Sequence, residues 1–308
     1  MSSTTEDIST SLNLTSNTEL VSNTHPTHIT IIEPHSGWRL VDWKELTEYR
    51  DLFRFLVWRE IKVRYAQSAI GIGWAVIQPV CSMIIFTIVF GKLAKIDSDG
   101  IPYAVFAFAA IVPWTYFSNA ITDGANSLVQ NADMIRKIYF PRMLLPLSAV
   151  VAKLVDFSIA MVLLAGLMAW YGMIPNLGIL ALPLLILLMI LTASGVGLWL
   201  TAFAVQYRDV KHAMNFVVQL LMYAAPVVYP ASLIPNTYPL FGSVTVNPQY
   251  FYALNPMVGV IEGMRSALLS SRPMPWDLIG IGLASSIVIA VTGLLYFRRK
   301  ESIFADVA

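Results

Sequence analysis

The sequence predicts an all-α polytopic membrane protein, and three observations predict it. The chain of 308 residues is 56% hydrophobic and only 13% charged, with a mean hydropathy of +0.65, against about 45–50% and about 25% in soluble domains. Six apolar stretches approach or exceed the roughly 20 residues needed to cross about 30 Å of hydrocarbon. Between them, Lys and Arg fall unequally on alternate connections. The expected architecture is six transmembrane helices, an amino-terminal amphipathic interfacial helix, and short re-entrant gate helices between spans five and six.

Residues 1–37 are rich in Ser, Thr and Asn, contain no Lys or Arg, and lack the charged start and apolar core of a signal peptide, which reads as a disordered cytoplasmic tail. Residues 38–65 carry seven basic residues, Arg39, Lys44, Arg50, Arg54, Arg59, Lys62 and Arg64. At 100° per residue Leu46, Tyr49, Leu52, Phe53, Leu56, Val57 and Val63 share one arc, opposite Asp51, Arg54, Arg59 and Lys62, as in a helix lying on a membrane surface. Phe55 and Trp58 fall among the charges and Glu60 in the apolar arc, so a helix packed on a partner is the alternative.

The transmembrane domain spans 66–300, with crossings expected at about 70–91, 101–122, 143–171, 177–205, 213–229 and 278–297, and a cytoplasmic tail at 301–308. With the amino end inside, fifteen Lys and Arg lie on cytoplasmic segments, Arg136, Lys137, Arg142, Arg208, Lys211, Arg298, Arg299 and Lys300 among them. Only Lys92, Lys95, Arg265 and Arg272 lie outside. The excess places both termini in the cytoplasm. The single cysteine, Cys81, lies in an apolar segment and reads as a small core filler.

Between the second and third spans lies Asn131 to Arg142, a short amphipathic piece with Asp133, Met134, Arg136, Lys137, Tyr139 and Phe140, closed by Pro141. A basic interruption on the cytoplasmic face is positioned to receive force from another subunit. The first span is interrupted by Gly71, Gly73, Gln78, Pro79, Ser82 and Thr87, and the fifth carries Asn215, Gln219, Tyr223 and Pro226. Polar, kinked helices belong in protein contacts or along a water-filled path, so these two spans are the candidate channel wall. Trp74, Trp114, Tyr116, Phe117, Tyr223 and Tyr229 sit where spans meet water. They are either belt anchors or flat rings on which a sugar can stack.

Lys153 and Asp156 lie three apart in the third span, an expected internal pair, since an unpaired charge at the bilayer centre costs roughly 2.5–3.5 kcal/mol. Glu262 and Arg265 repeat the spacing in the segment 230–276, the candidate outer gate. There the apolar stretch Pro256 to Leu269 is too short to span and forms either a lid or a shielding cap.

No Gly-x-x-x-x-Gly-Lys-Ser/Thr loop occurs, so the chain lacks that means of holding nucleotide phosphates. There is no His-Glu-x-x-His and no Cys/His cluster, hence no expected metal. Asp97-Ser98-Asp99 lies in an outer loop with no domain around it to build a transferase site. No nucleic-acid partner is expected.

From about Trp43 to Arg299 the chain resembles the permease subunits of type-2 ATP-binding-cassette exporters, in particular those of O-antigen, capsule and teichoic-acid polysaccharides. The resemblance rests on Arg64-Tyr65-Ala66-Gln67-Ser68 with Gly71 to Trp74 and Gln78-Pro79, Val112-Pro113-Trp114-Thr115-Tyr116-Phe117, and Lys137-Ile138-Tyr139-Phe140-Pro141-Arg142. It continues through Tyr207-Arg208-Asp209-Val210, Ala225-Pro226-Val227-Val228-Tyr229-Pro230, and Leu254-Asn255-Pro256-Met257 with Glu262 and Arg265. It implies a homodimer in the bacterial inner membrane, seated on two copies of a separate ATPase that holds ATP and magnesium. The substrate it implies is an undecaprenyl-linked polysaccharide. It further implies that 131–142 is the coupling helix, that spans one and five form the channel, and that Asn255, Pro256, Glu262 and Arg265 belong to outer helices capping it. Export of a teichoic acid, capsule, drug or lipid fits the same architecture; a membrane-embedded transferase is the rival from the enzymes.

Overall fold

The computed structural model describes residues 47–66, 70–207, 209–235, 238–241, 244–270, 272–301 and 304. The expected tail, the first part of the interfacial helix with Arg39, Lys44 and Leu46, the Gln67-Ser68 pair, Arg208 and most of the carboxyl-terminal tail lie outside them.

Helix α1 (Arg50–Ala66) is followed by α2 (Gly73–Phe86), which continues as a π-helical turn, Thr87–Leu93. Helix α3 (Tyr103–Gln130) has 28 residues, about 42 Å at 1.5 Å per residue, so it overshoots the hydrocarbon. A short α4 (Ala132–Lys137) follows. The third crossing is α5 (Leu144–Ala152) and α6 (Leu154–Trp170), meeting at Lys153. A 3₁₀ turn, Leu177–Ala181, capped by the Asn176 side chain, leads into α7 (Leu182–Gln206). Then come α8 (Val210–Tyr223), strands β1 (Tyr238–Phe241) and β2 (Val244–Val246), α9 (Pro248–Tyr252), α10 (Pro256–Leu269) and α11 (Trp276–Lys300). Asn247 and Asn255 cap α9 and α10 by accepting from the amides two residues on.

Among the described residues, five helical segments are long and apolar enough to cross a membrane: Gly73–Leu93, Tyr103–Gln130, Leu144–Trp170, Leu177–Gln206 and Trp276–Lys300. The expected fifth span is the exception among the six. α8 ends after 14 residues, about 21 Å, and turns through 224–229 bring Pro226 to the place where the helix has already stopped. The all-α expectation holds for the bundle, with one small addition: β1 and β2 pair as an antiparallel hairpin.

Helix α3 is the axis of the bundle: its most apolar window is 78% buried, that of Gly73–Leu93 only 6%. Around it pack α7, α5, α10, α2 and α6. Helices α7 and α11 approach closely because Gly195 has no side chain; a Cβ there would lie 2.7 Å from the Ala290 Cα. A buried Thr192–Ser286 hydroxyl pair at 2.8 Å ties the same two helices.

Two hydrophobic clusters result. The larger surrounds α3, and the smaller joins Leu56 of α1 to Leu128, Ile135, Phe140, Met143, Leu198, Phe297 and Phe304. The smaller one marks the basic end of the bundle, where Arg136, Lys137, Arg298 and Arg299 lie; the hairpin marks the other. Cys81, expected in the core, is exposed on α2, since α2 turns most of its surface away from the bundle.

Candidate functional site

At the basic end, segment 131–142 divides into two faces. Asp133, Arg136, Lys137, Ile138 and Tyr139 are exposed, whereas Pro141 is buried and Ile135 and Phe140 are buried in the smaller cluster. Three further residues expected to meet a partner turn inward. Asn131 accepts from Arg59 Nη2 at 2.6 Å, Met134 Sδ lies 3.8 Å from Arg59 Nη1, and Arg142 donates to the Glu301 carbonyl. The segment is braced from inside by α1 and by the end of α11. The surface left for a partner is therefore narrower than the whole motif.

Helix α1 packs Leu52, Phe53 and Leu56 against that cluster, with Tyr49 just before it, as the apolar arc predicts, but Val63 is exposed. Its basic residues split. Arg54 and Lys62 are exposed, with Arg54 3.5 Å from Asp51. Arg59 and Arg64 point into the protein because their partners do.

Arg64 reaches Asp156 at 2.5 Å and Asp123 at 3.0 Å. Lys153 lies 2.5 Å from Asp123, and the Tyr65 hydroxyl donates to Asp156. The expected Lys153–Asp156 pair is thus replaced: each charge is matched across helices, in a network joining α1, α3 and the α5–α6 junction. The physical reason is the junction itself, where Lys153 ends α5 and Asp156 opens α6. Burial first, and then the hydrogen bond to Asp156, push the Tyr65 hydroxyl up to about 12, so it remains a donor at neutral pH. Asp123 was missed because the second span was expected to end at 122. The signal was present, since Thr115, Asn119 and Asp123 recur every four residues along one side of α3.

Under this network lies a cavity of about 230 Å³, bounded by Arg64, Tyr65, Trp74, Gln78, Thr115, Tyr116, Asn119, Lys153, Asp156 and Phe157. Among the candidate wall residues, Trp74 and Gln78 face it and are exposed. Ser82, beside them on α2, donates to the Gln78 carbonyl. On α8 the side chains of His212, Asn215, Gln219 and Tyr223 are exposed, while Met214 is buried; these polar groups form one stripe at spacings of three and four. Trp114, Tyr116 and Phe117 are buried. Trp114 and Phe117 pack with centroids 5.7 Å apart, as do Tyr116 and Phe157, and the Tyr116 hydroxyl donates to the Val150 carbonyl at 3.2 Å. The sugar-stacking expectation does not hold for Trp114 and Phe117, which complete the core instead. Tyr229 is half-buried and bonded to the Tyr223 carbonyl and the Tyr252 hydroxyl.

At the hairpin end, thirteen of the fourteen residues of α10 are buried. Arg265 meets Glu262 at 2.9 Å, donates to the carbonyls of Val227, Tyr229 and Phe106, and lies 3.6 Å over the Phe106 ring. Glu262 also accepts from the Ala231 amide at 3.1 Å. Asn255 caps the helix and its side chain reaches the Ala224 carbonyl at 3.4 Å; Pro256 occupies the first turn. The arrangement pins α10 to α3 and to the turns after α8, which suits a fixed cap better than a swinging lid. Nearby, Arg272 pairs with Asp99 at 2.8 Å, so the Asp97-Ser98-Asp99 loop serves as a tie between loops.

Comparison with known proteins matches residues 51–269 to the ABC-2 type transporter family. The chain belongs to that family. The ABC-2 chain is 28% identical over 264 residues to the O-antigen export system permease protein RfbA of Myxococcus xanthus, covering 85% of this chain and 97% of the relative. It is 25% identical over 258 residues to the protein of the same name from Klebsiella pneumoniae, covering 83% and 95%. To the polysialic acid transport protein KpsM of Escherichia coli it is 22% identical over 251 residues, covering 79% and 91%. The ABC-2 match runs from α1 through α10, so the braced segment, the charge network and the cap all belong to the family's common body.

Proposed function

We propose that this chain is the membrane permease subunit of an ATP-driven exporter of lipid-linked, O-antigen-like polysaccharide, working from the cytoplasmic face of a bacterial inner membrane. The observation that carries the reading is near full-length similarity to relatives named for polysaccharide export. The relative named for polysialic acid transport favours a capsule polymer as the second reading.

The excess of Lys and Arg at the basic end argues for that end in the cytoplasm, with both termini there. An odd number of crossings would part the termini. A sixth is supplied by 210–228: α8 starts beside the end of α7, and the Tyr103 hydroxyl at the opposite end of α3 donates to the Val228 carbonyl at 2.6 Å. A separate ATPase dimer would dock on the exposed Asp133, Arg136, Lys137, Ile138 and Tyr139. It supplies ATP and magnesium chemistry that the present sequence has no phosphate loop to hold.

A homodimer is supported by the two faces left uncovered. α2 exposes Trp74, Ile77, Ile84 and Ile85, and α8 exposes Phe216 and Leu220 beside its polar stripe. Polar groups on a membrane helix are costly against lipid, so the α8 stripe faces either water in a conduit or a second copy. The channel then lies between α2 and α8 of the paired protomers. Pushing 131–142 would move α1 through Arg59, and through Arg64 the ends of α3 and α6 at Asp123 and Asp156.

Deletion of the gene, followed by analysis of where undecaprenyl-linked glycan collects, tests the reading. Completed glycan should accumulate on the cytoplasmic side and be lost from the cell surface. Loss of the glycan itself would point to synthesis, and unchanged surface glycan would refute export by this chain.

A further inference from the structure

The cavity under the charge network is lined by two kinds of polar group. The charged ones close on one another: Arg64 and Lys153 are met by Asp123 and Asp156, two positive and two negative charges. The uncharged ones do not. Thr115, Asn119 and Gln78 line the cavity, and none of their side chains hydrogen-bonds another group among the described residues, the Ser118 and Ser82 hydroxyls bonding only the backbone carbonyls of Thr115 and Gln78. Thr115 and Asn119 are half-buried and Gln78 is exposed, so a hydroxyl and two carboxamides stand open to whatever fills the cavity. The cavity is an order of magnitude larger than the roughly 10–15 Å³ that one water needs.

The chemistry of the lining narrows the occupant. A phosphate would have to pull Arg64 or Lys153 from carboxylates 2.5–3.0 Å away, and a metal ion would have to take those same carboxylates. Carboxamides and a threonine hydroxyl both donate and accept, as sugar hydroxyls do. The apolar C–H face of a sugar ring in turn suits the exposed Trp74 indole and the wall formed by Pro79, Phe157 and Ala160.

We propose that this cavity, within one protomer between α1, α2, α3 and α6, is a subsite for a single uncharged sugar residue of the exported glycan. Thr115, Asn119 and Gln78 hydrogen-bond its hydroxyls and Trp74 covers its face. The proposal rests on the polysaccharide-export reading and adds a place where the glycan is held. The charge network above it forms the roof, so movement of α1 on Arg59 and Arg64 would open or close the subsite.

Photo-crosslinking in cells that make the glycan and contain the ATPase partner tests it. Benzoylphenylalanine replaces Gln78, or replaces Val162, exposed on α6, as the control. Mass spectrometry of the adducted peptides should find sugar at 78 and none at 162, and the adduct should vanish in a strain unable to make the glycan. Adducts at 78 that contain only phospholipid or prenyl chains, or no adduct, would overturn the subsite. In parallel, the double variant Thr115→Val, Asn119→Leu should lower export at least about tenfold, with the glycan-free ATPase rate of the purified complex unchanged. Unimpaired export would overturn the subsite as well. If deletion of the whole gene stops export while position 78 gives no sugar adduct, only the subsite falls; if deletion leaves export intact, the export reading falls.

Discussion

Two groups of charges stand at opposite ends of α3, and they are built differently. At the hairpin end Arg265 is 2% exposed, and its guanidinium is met by one carboxylate, three backbone carbonyls and an aromatic face. At the basic end the side chains of Arg64 and Asp156 remain 25% and 20% exposed, Asp123 40%, and their partners are one another. Backbone carbonyls cannot move without the chain that carries them, whereas side-chain carboxylates beside a cavity can exchange partners. The first arrangement holds a helix in place. The second can be made and unmade, which is what the proposed drive by a partner at the basic end would require.

Breaking the pin should have the largest effect. Arg265→Ala leaves Glu262 without its counter-charge and three carbonyls without their guanidinium donor in the interior and should destabilise the protein by about 3–5 kcal/mol, seen as loss of folded permease from membranes and a lower unfolding midpoint. Survival of a stable, export-competent variant would mean that α10 is a lid after all. Phe140→Ala, at the other end, should cost a similar 3–5 kcal/mol through the smaller cluster. Tyr139→Ala, only one residue away but 63% exposed, should lower the unfolding midpoint far less than Phe140→Ala and weaken binding of the ATPase in a pull-down. Equal effects of the two would deny that the segment has two faces.

Arg64→Gln should separate folding from transport. Its partners are part-exposed and shared with Lys153, so the loss of stability should stay near about 1–3 kcal/mol, while export falls more steeply than ATP hydrolysis. A proportional fall in both would reduce the network to a structural pin like the other. Tyr65→Phe removes one hydrogen bond to Asp156 and should cost least, about 0.5–1.5 kcal/mol. With the hydroxyl raised from 10.0 to about 12, the stability its proton contributes is complete below pH 10 and lost as pH rises through 12. Unfolding midpoints of the parent and Tyr65→Phe proteins should therefore differ by a constant amount across neutral pH and converge in alkali.

The bundle was legible because hydrocarbon is a uniform solvent: any helix crossing it must be apolar for about 20 residues, and composition alone reports that. The exception was the short α8 with the turns behind it, where polar residues and Pro226 interrupt the signal. The charge network was only half legible. Lys153 and Asp156 drew attention as costly residues within a span, but Arg64 lies 92 residues from Asp156 and 59 from Asp123, and no local spacing announces a partner that distant. Asp123 was overlooked because α3 continues past the membrane boundary assigned to it. In segment 131–142, hydropathy could not tell Phe140 from Tyr139, since the choice of face depends on where α1 and α11 end.

On this comparison the basic end moves while the hairpin end holds. Pulsed electron-spin distance measurements on the complex with its ATPase, with Cys81 replaced by serine, distinguish the two ends. One label pair, Lys62→Cys with Val162→Cys, spans the network; the other, Leu254→Cys with Ile174→Cys, spans the pinned cap. Trapping the ATPase in its ATP-bound state should shift the first distance distribution and leave the second unchanged. A shift confined to the second pair, or none at the first, would mean that the network stays fixed while the ATPase cycles.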